Sequence, residues 1–232
     1  NGFDHMKVAL SVGVQKMVRA DKASAGVMFS IDTETGFRDL VVINGAWGLG
    51  ENVVQGTVTP DEFLLFKPLL ENRKLVPIIG KSLGAKEKKI VYAGGGSRTT
   101  KNVDTSKKDR NRFTLTDKQI IQLARWAVVI EKHYQTPMDM EWAEDGDSGH
   151  LYIVQARPET VQSQKQADSL KTYTLKDKSE RLVTGLSIGE AIAAAPVCKI
   201  KSTEEIDQFK QDTILVTEMT DPDRVPVMKK AA

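Results

Sequence analysis

The chain has 232 residues, enough for one large domain or a medium and a small one, and its 40% hydrophobic and 28% charged content is ordinary for globular proteins. A net charge of +2 gives no electrostatic case for a nucleic-acid groove or an anionic membrane surface, and no apolar run approaches a membrane-spanning length. The single cysteine, Cys198, excludes an internal disulfide; its apolar setting is that of a small core residue and suits a reducing compartment.

The start, Asn1-Gly2-Phe3-Asp4-His5, does not read as a signal peptide, and both ends read as cuts through a longer chain, although processing would leave the same ends. The first third is strand-rich. Residues 8–18, 25–31 and 39–44 are β-prone runs, and Asp32-Thr33-Glu34-Thr35-Gly36 joins the last two as a hairpin loop. A glycine-punctuated loop then runs from Gly45 through Trp47-Gly48-Leu49-Gly50-Glu51-Asn52. Such glycine density lets backbone amides approach a ligand, and a plain turn explains it equally. Residues 59–66 resume extended structure, and the lysine-rich stretch 81–108 is weakly patterned. Gly80-Lys81-Ser82 is not a P-loop, because that motif needs a glycine where Leu75 stands. Gly94-Gly95-Gly96-Ser97 lacks a lysine-hydroxyl pair after it and is expected to be a mobile loop.

At Thr116 the period changes. Thr116-Asp117-Lys118-Gln119 is a capping-box pattern, and Ile120, Leu123, Ala124, Ala127 and Ile130 fall on one helical face, predicting a helix that ends near His133-Tyr134. Two strand-like runs follow, 137–143 and 151–158, across a turn at Asp145-Gly146-Asp147-Ser148-Gly149. Strand alternation puts Asp139 and Glu141 on one face, Met140 and Trp142 on the other. On the returning strand Gln155 and Arg157 share a face opposed by Tyr152, Val154 and Ala156. Folding about Asp147 sets Asp139 across from Gln155 with Glu141 diagonal. Hard oxygen donors of this kind suit Mg²⁺; the spacing suits equally an edge hairpin with a solvated polar face. His133 reads as a helix-end residue and His150 as a turn flank. Residues 160–166 are polar and aperiodic, a linker. Short strands are expected at 173–175, 181–188, 195–200 and 213–219, with a short helix at 202–209 capped by Ser202.

Several of these runs together resemble the pyruvate/phosphate dikinase family: residues 8–19, 24–32, Trp47-Gly48-Leu49-Gly50-Glu51, Pro60-Asp61-Glu62-Phe63, Met138-Asp139-Met140-Glu141-Trp142-Ala143 and 153–160, and, past the linker, 216–223, which resembles the run ahead of the family's phosphohistidine motif. The likeness is closest to the branch that makes phosphoenolpyruvate, AMP and phosphate from pyruvate, ATP and water. It implies an α+β fold. Residues 1–163 would be the later part of an ATP-grasp nucleotide-binding domain, an antiparallel sheet with packed helices. Residues 164–172 would be a linker, and 173–232 the opening of a swivelling phosphohistidine domain.

The resemblance further implies that Glu141 and Gln155 hold Mg²⁺ against ATP phosphates with Asp139 beside them, and that Arg157 meets a phosphate. Glu51 and Asn52 resemble the family's acidic nucleotide-contact pair, asparagine standing in place of the second acid. The amino-terminal lobe, the catalytic histidine and the pyruvate-binding barrel would lie outside these residues, so no catalytic residue is assigned here. ATP and, for the complete enzyme, pyruvate are the implied partners, in cytoplasmic gluconeogenesis. No nucleic acid or membrane is implied, and self-association stays open. The competing readings are a non-catalytic nucleotide- or metal-binding module and another ATP-grasp dikinase with a different acceptor.

Overall fold

The computed structural model describes residues 12–72, 74–94, 99–159, 180, 182–183, 185, 192–200, 205–206, 209–217 and 228–231. The chain falls into two compact units, Asn1–Leu170 and Lys171–Ala232. The predicted linker at 164–172 lies outside the described residues.

The first unit is α+β and built on six strands: β1 (Ser24–Phe29), β2 (Leu40–Trp47), β3 (Asp61–Phe66), β4 (Ile78–Ser82), β7 (Met138–Glu144) and β8 (Leu151–Pro158). They form one sheet in the order β4-β3-β2-β1-β7-β8, antiparallel throughout. The Asp32 loop joins β1 to β2 as expected. Its carboxylate accepts hydrogen bonds from the backbone N–H groups of Glu34 and Thr35, fixing the turn.

One face of the sheet is covered by α3 (Asp117–Tyr134), which has the predicted capping box. The Thr116 hydroxyl accepts from the Gln119 N–H at 3.4 Å, and the Gln119 side chain accepts from the Thr116 N–H at 2.9 Å. Its apolar stripe, Ile120, Leu123, Ala124 and Ala127, is fully buried against Met28, Ile43, Phe63, Leu65, Met140 and Trp142. Truncating Leu123 to alanine there would cost about 2–5 kcal/mol. Lys67 and Glu131 clamp the far end of the helix at 2.7 Å. Burial holds the Lys67 pKa below its ordinary value against the opposing pull of Glu131.

A second layer was not legible as strands. The lysine-rich stretch forms a separate hairpin, β5 (Lys88–Tyr92) with β6 (Thr100–Asp104), then a short α2 (Lys107–Arg110). Lying off the main sheet, β6 leaves most of its residues outside the core, so the two-residue burial alternation is weak. Gly95, Gly96 and Ser97 of the predicted mobile loop lie outside the described residues. A one-turn helix, α1 (Glu51–Val54), replaces the second half of the predicted glycine loop, whose first part, Gly45 to Trp47, belongs to β2.

Residues 12–18 of the predicted first strand have no regular structure, and Val12 and Val14 are almost fully exposed, with no strand pairing them among the described residues. Residues 8–11 lie outside the described residues.

In the second unit the expected strands at 195–200 and 213–219 appear as β9 (Val197–Lys199) and β10 (Ile214–Val216), paired in parallel. Cys198 is half-buried rather than a full core residue. The expected strand at 173–175 and the Ser202 cap lie outside the described residues, as do most of 181–188 and of the helix.

Candidate functional site on the open sheet face

The β7–β8 hairpin carries the predicted carboxylates, and its faces divide as strand alternation requires. Met138, Met140 and Trp142 are buried toward α3, while Asp139 and Glu141 lie on the opposite, open face. The register differs from the expectation. Glu141, not Asp139, lies across from Gln155, and Asp139 lies across from Arg157.

Two one-residue displacements add to give this result. Asp145 accepts from the N–H groups of Asp147 and Ser148 and from the Ser148 hydroxyl, a wider turn that pairs Glu144 with Leu151. A bulge between Glu141 and Trp142 then leaves Val154 without a partner. Its second effect is on side-chain direction. Val154 joins the open face instead of opposing Gln155, packing with Ala20, Ala25 and Ala143. Tyr152, paired with Ala143, also belongs to that face.

The Asp139 carboxylate, with a side chain 14% exposed, receives Nε of Arg157 at 2.8 Å and its Nη2 at 2.7 Å. This hydrogen bond and charge hold the guanidinium more firmly protonated, with a smaller contribution from Glu141. The Nε–H is so occupied, with Nη2 held against the same oxygen as an ion-pair contact, and the remaining N–H groups are left to donate elsewhere. Glu141 and Gln155 make no side-chain hydrogen bond among the described residues, and as a directly opposed pair their β-carbons are about 5 Å apart. Two facing, unengaged oxygen donors fit a small divalent ion that keeps phosphate and water oxygens for its remaining positions. They do not make a closed protein cage: among the described residues no three of histidine, cysteine, aspartate and glutamate converge.

Beside Glu141 opens a cleft of about 510 Å³, within the usual size of a small-molecule site, lined by Lys16, Val18, Leu49, Glu51, Ala143 and Val154 among others. Its walls come from the irregular segment 15–18, from β1 at Ala25 and Gly26, from the β7–β8 hairpin, and from Leu49 and Gly50 with α1. A second cleft of about 580 Å³ also borders segment 15–18 and is lined by Arg19, Asp145, Asp147 and Tyr152. Arg19 anchors the segment: its N–H donates to Asp145 at 3.0 Å and its guanidinium grips Asp21. The Arg19 and Ser148 backbone N–H groups, with the Ser148 hydroxyl, push the Asp145 pKa down to about 2.

The predicted pair at α1 divides. Glu51 is exposed toward the cleft, its carboxylate accepting from Gln55 at 3.0 Å. Asn52 is turned inward and only 2% exposed, its amide donating to Asn102 at 2.8 Å and its oxygen accepting from the Thr57 hydroxyl at 2.8 Å. The apolar cleft walls at Val18, Leu49 and Val154 were not singled out from the sequence. Leu49 carries a signal in hindsight, as the one bulky apolar residue between two glycines. Val154 carries none, because its direction follows from the bulge.

Comparison with known proteins adds identity to this geometry. The family described as "Pyruvate phosphate dikinase, AMP/ATP-binding domain" matches residues 1–177. The chain is 56% identical over 238 residues to a phosphoenolpyruvate synthase of Synechocystis sp., covering 100% of this chain and 29% of that protein. It is 54% identical over 244 residues to the phosphoenolpyruvate synthase of Helicobacter pylori, covering 100% of this chain and 30% of that protein. For the phosphoenolpyruvate synthase of Escherichia coli the identity is 49% over 233 residues, covering 100% of this chain and 29% of that protein. The chain thus spans less than a third of the length of these curated relatives.

Proposed function

The chain belongs to the pyruvate phosphate dikinase AMP/ATP-binding domain family, and from that premise we propose that ATP lies along the open face of the sheet. The purine occupies the apolar cleft between Val18, Leu49, Ala143 and Val154. The phosphates extend toward Glu141, Gln155 and Arg157. Glu141 and Gln155 are the residues that would hold Mg²⁺, which when bound neutralises phosphate charge and orients the transferring group. Asp139 acts on Arg157, presenting its remaining N–H groups to a phosphate oxygen. Glu51 contacts the nucleotide from α1. Asn52, buried and engaged on both sides, serves to hold that turn.

The wider reading follows the relatives. In a protein of their length this domain would supply the phosphoryl group of ATP to a histidine carrier. With AMP leaving and water taking up ATP's other phosphoryl group as phosphate, the carrier would pass its phosphoryl group to pyruvate, giving phosphoenolpyruvate, in the cytoplasm and in the direction of gluconeogenesis. Phosphoryl transfer asks the protein for charge stabilisation and in-line positioning more than for covalent help, which is what this residue set offers.

One observation carries the reading: Glu141 faces Gln155 in register, both unengaged among the described residues, beside a cleft of nucleotide size. The test is Mg·ATP binding by calorimetry with Glu141→Ala and Gln155→Ala. Both substitutions lie on the open face, so the far-UV circular dichroism spectrum stays unchanged while affinity falls. Wild-type affinity in both variants overturns the site. Binding that survives with no phosphoryl transfer in a full-length protein carrying this sequence would favour a non-catalytic module.

A further inference from the structure

The turn that carries Glu51 is not held by the main sheet alone. Helix α1 is a single turn, too short to be stable without outside contacts, so its setting depends on what grips it. Much of that grip comes from the β5–β6 hairpin. The Leu49 N–H donates to the Ile90 carbonyl at 3.0 Å, and Gly48 bridges Ile90 in parallel. Gly48 has φ +85°, and a β-carbon there would stand 2.4 Å from the Ile90 oxygen, so the approach requires glycine. On α1 itself, the Asn102 side-chain oxygen of β6 accepts from the buried Asn52 amide at 2.8 Å. Asn52 passes the constraint on, since its oxygen accepts from the Thr57 hydroxyl and its carbonyl from the Thr57 N–H at 3.0 Å.

We infer that Asn102 is a positioning residue for nucleotide affinity, fixing the setting of α1 through Asn52 so that Glu51 faces the cleft. This rests on the reading of Glu51 as a nucleotide contact. Asn102 is itself exposed and lines neither of the two clefts, so it acts through Asn52 and not on the ligand. The chemistry requires an acceptor at position 102 and nothing more. Aspartate meets that requirement and alanine does not.

The experiment is a double-mutant cycle in a full-length protein carrying this sequence, reading ATP affinity by calorimetry together with KM for ATP and kcat. Asn102→Ala raises the ATP Kd and KM about five-fold, the size of one hydrogen bond, and leaves kcat unchanged. Asn102→Asp recovers most of that loss. In the Glu51→Ala background, Asn102→Ala adds less than about two-fold. Equal losses in both backgrounds, or aspartate no better than alanine, overturn the inference while leaving Glu51 in place. Unchanged ATP affinity in Glu51→Ala alone removes the Glu51 assignment and this inference with it.

Discussion

Lys86 and Asp61 form an ion pair with both side chains fully buried, at the junction of β3, the loop after β4 and the bend that leads into α3. The Asp61 carboxylate also accepts the Gly84 N–H at 2.9 Å, the Thr114 N–H at 2.7 Å and the Thr114 hydroxyl at 3.0 Å, while Lys86 donates to the Gly84 carbonyl at 2.9 Å. Lys86 holds φ +42°, a value lysine adopts only under constraint, so the pair fixes the backbone as well as the charge. Lys86→Met keeps the chain volume and removes the counter-charge. Breaking one side of a buried pair costs roughly 3–5 kcal/mol. Three hydrogen bonds remain on the carboxylate, which places the loss near the lower bound, about 3 kcal/mol. With a urea m value of about 2 kcal/mol/M, the denaturation midpoint falls by about 1.5 M. Asp61→Asn added to Lys86→Met removes the stranded charge and keeps the Thr114 bonds, recovering more than half of the loss. A single-variant loss below about 1 kcal/mol, or a double variant no more stable than the single, refutes the reasoning.

Three further expectations follow from the same geometry. Burial raises the Glu62 pKa above its ordinary value, with Glu34 and Asp32 adding to it against a hydrogen bond from Asn44. The stabilising contribution is therefore present below the ordinary glutamate range and lost as pH rises through the raised value, so Glu62→Gln melts higher than wild type at pH 7 and equally at pH 3.5; a pH-independent difference would contradict this. Asp145 runs the other way: its contribution is present above the ordinary aspartate value and lost as pH falls through about 2. Asp145→Ala is accordingly less stable than wild type by urea titration at neutral pH, and the gap closes toward pH 2; a gap that persists there sinks the assignment. Gly48→Ala forces a β-carbon against Ile90 at a left-handed φ, costing about 1–2 kcal/mol and weakening ATP binding through the loosened hairpin; a wild-type melting curve would show that the docking is not as tight as described.

Periodicity made the 117–134 helix and the β7–β8 hairpin legible, because each buries one face against a common core, while the α+β architecture came from the family resemblance. Pro60-Asp61 read as extended structure and as part of a resemblance but not as an ion-pair site, since the partner that gives Asp61 its role lies 25 residues on. The β5–β6 hairpin escaped because it is not buried on one face and so carries little alternation. At the site, the face of Asp139 and Glu141 followed from alternation alone. Their partners did not, because a wider turn and a bulge each moved the register by one residue, and neither leaves a hydrophobic signature. Asn52 was grouped with Glu51 through the family resemblance, yet successive positions on a helical turn point about 100° apart, one to the cleft and one to β6.

The most direct measurement compares ATP affinity with and without Mg²⁺ for wild type, Glu141→Gln and Gln155→Leu, by calorimetry in EDTA and in excess magnesium. Magnesium should tighten ATP binding to the wild type, and each variant should lose about ten-fold or more of that gain while binding metal-free ATP as before. Full magnesium enhancement in both variants would contradict the assignment of a metal-phosphate site to this pair of facing strands.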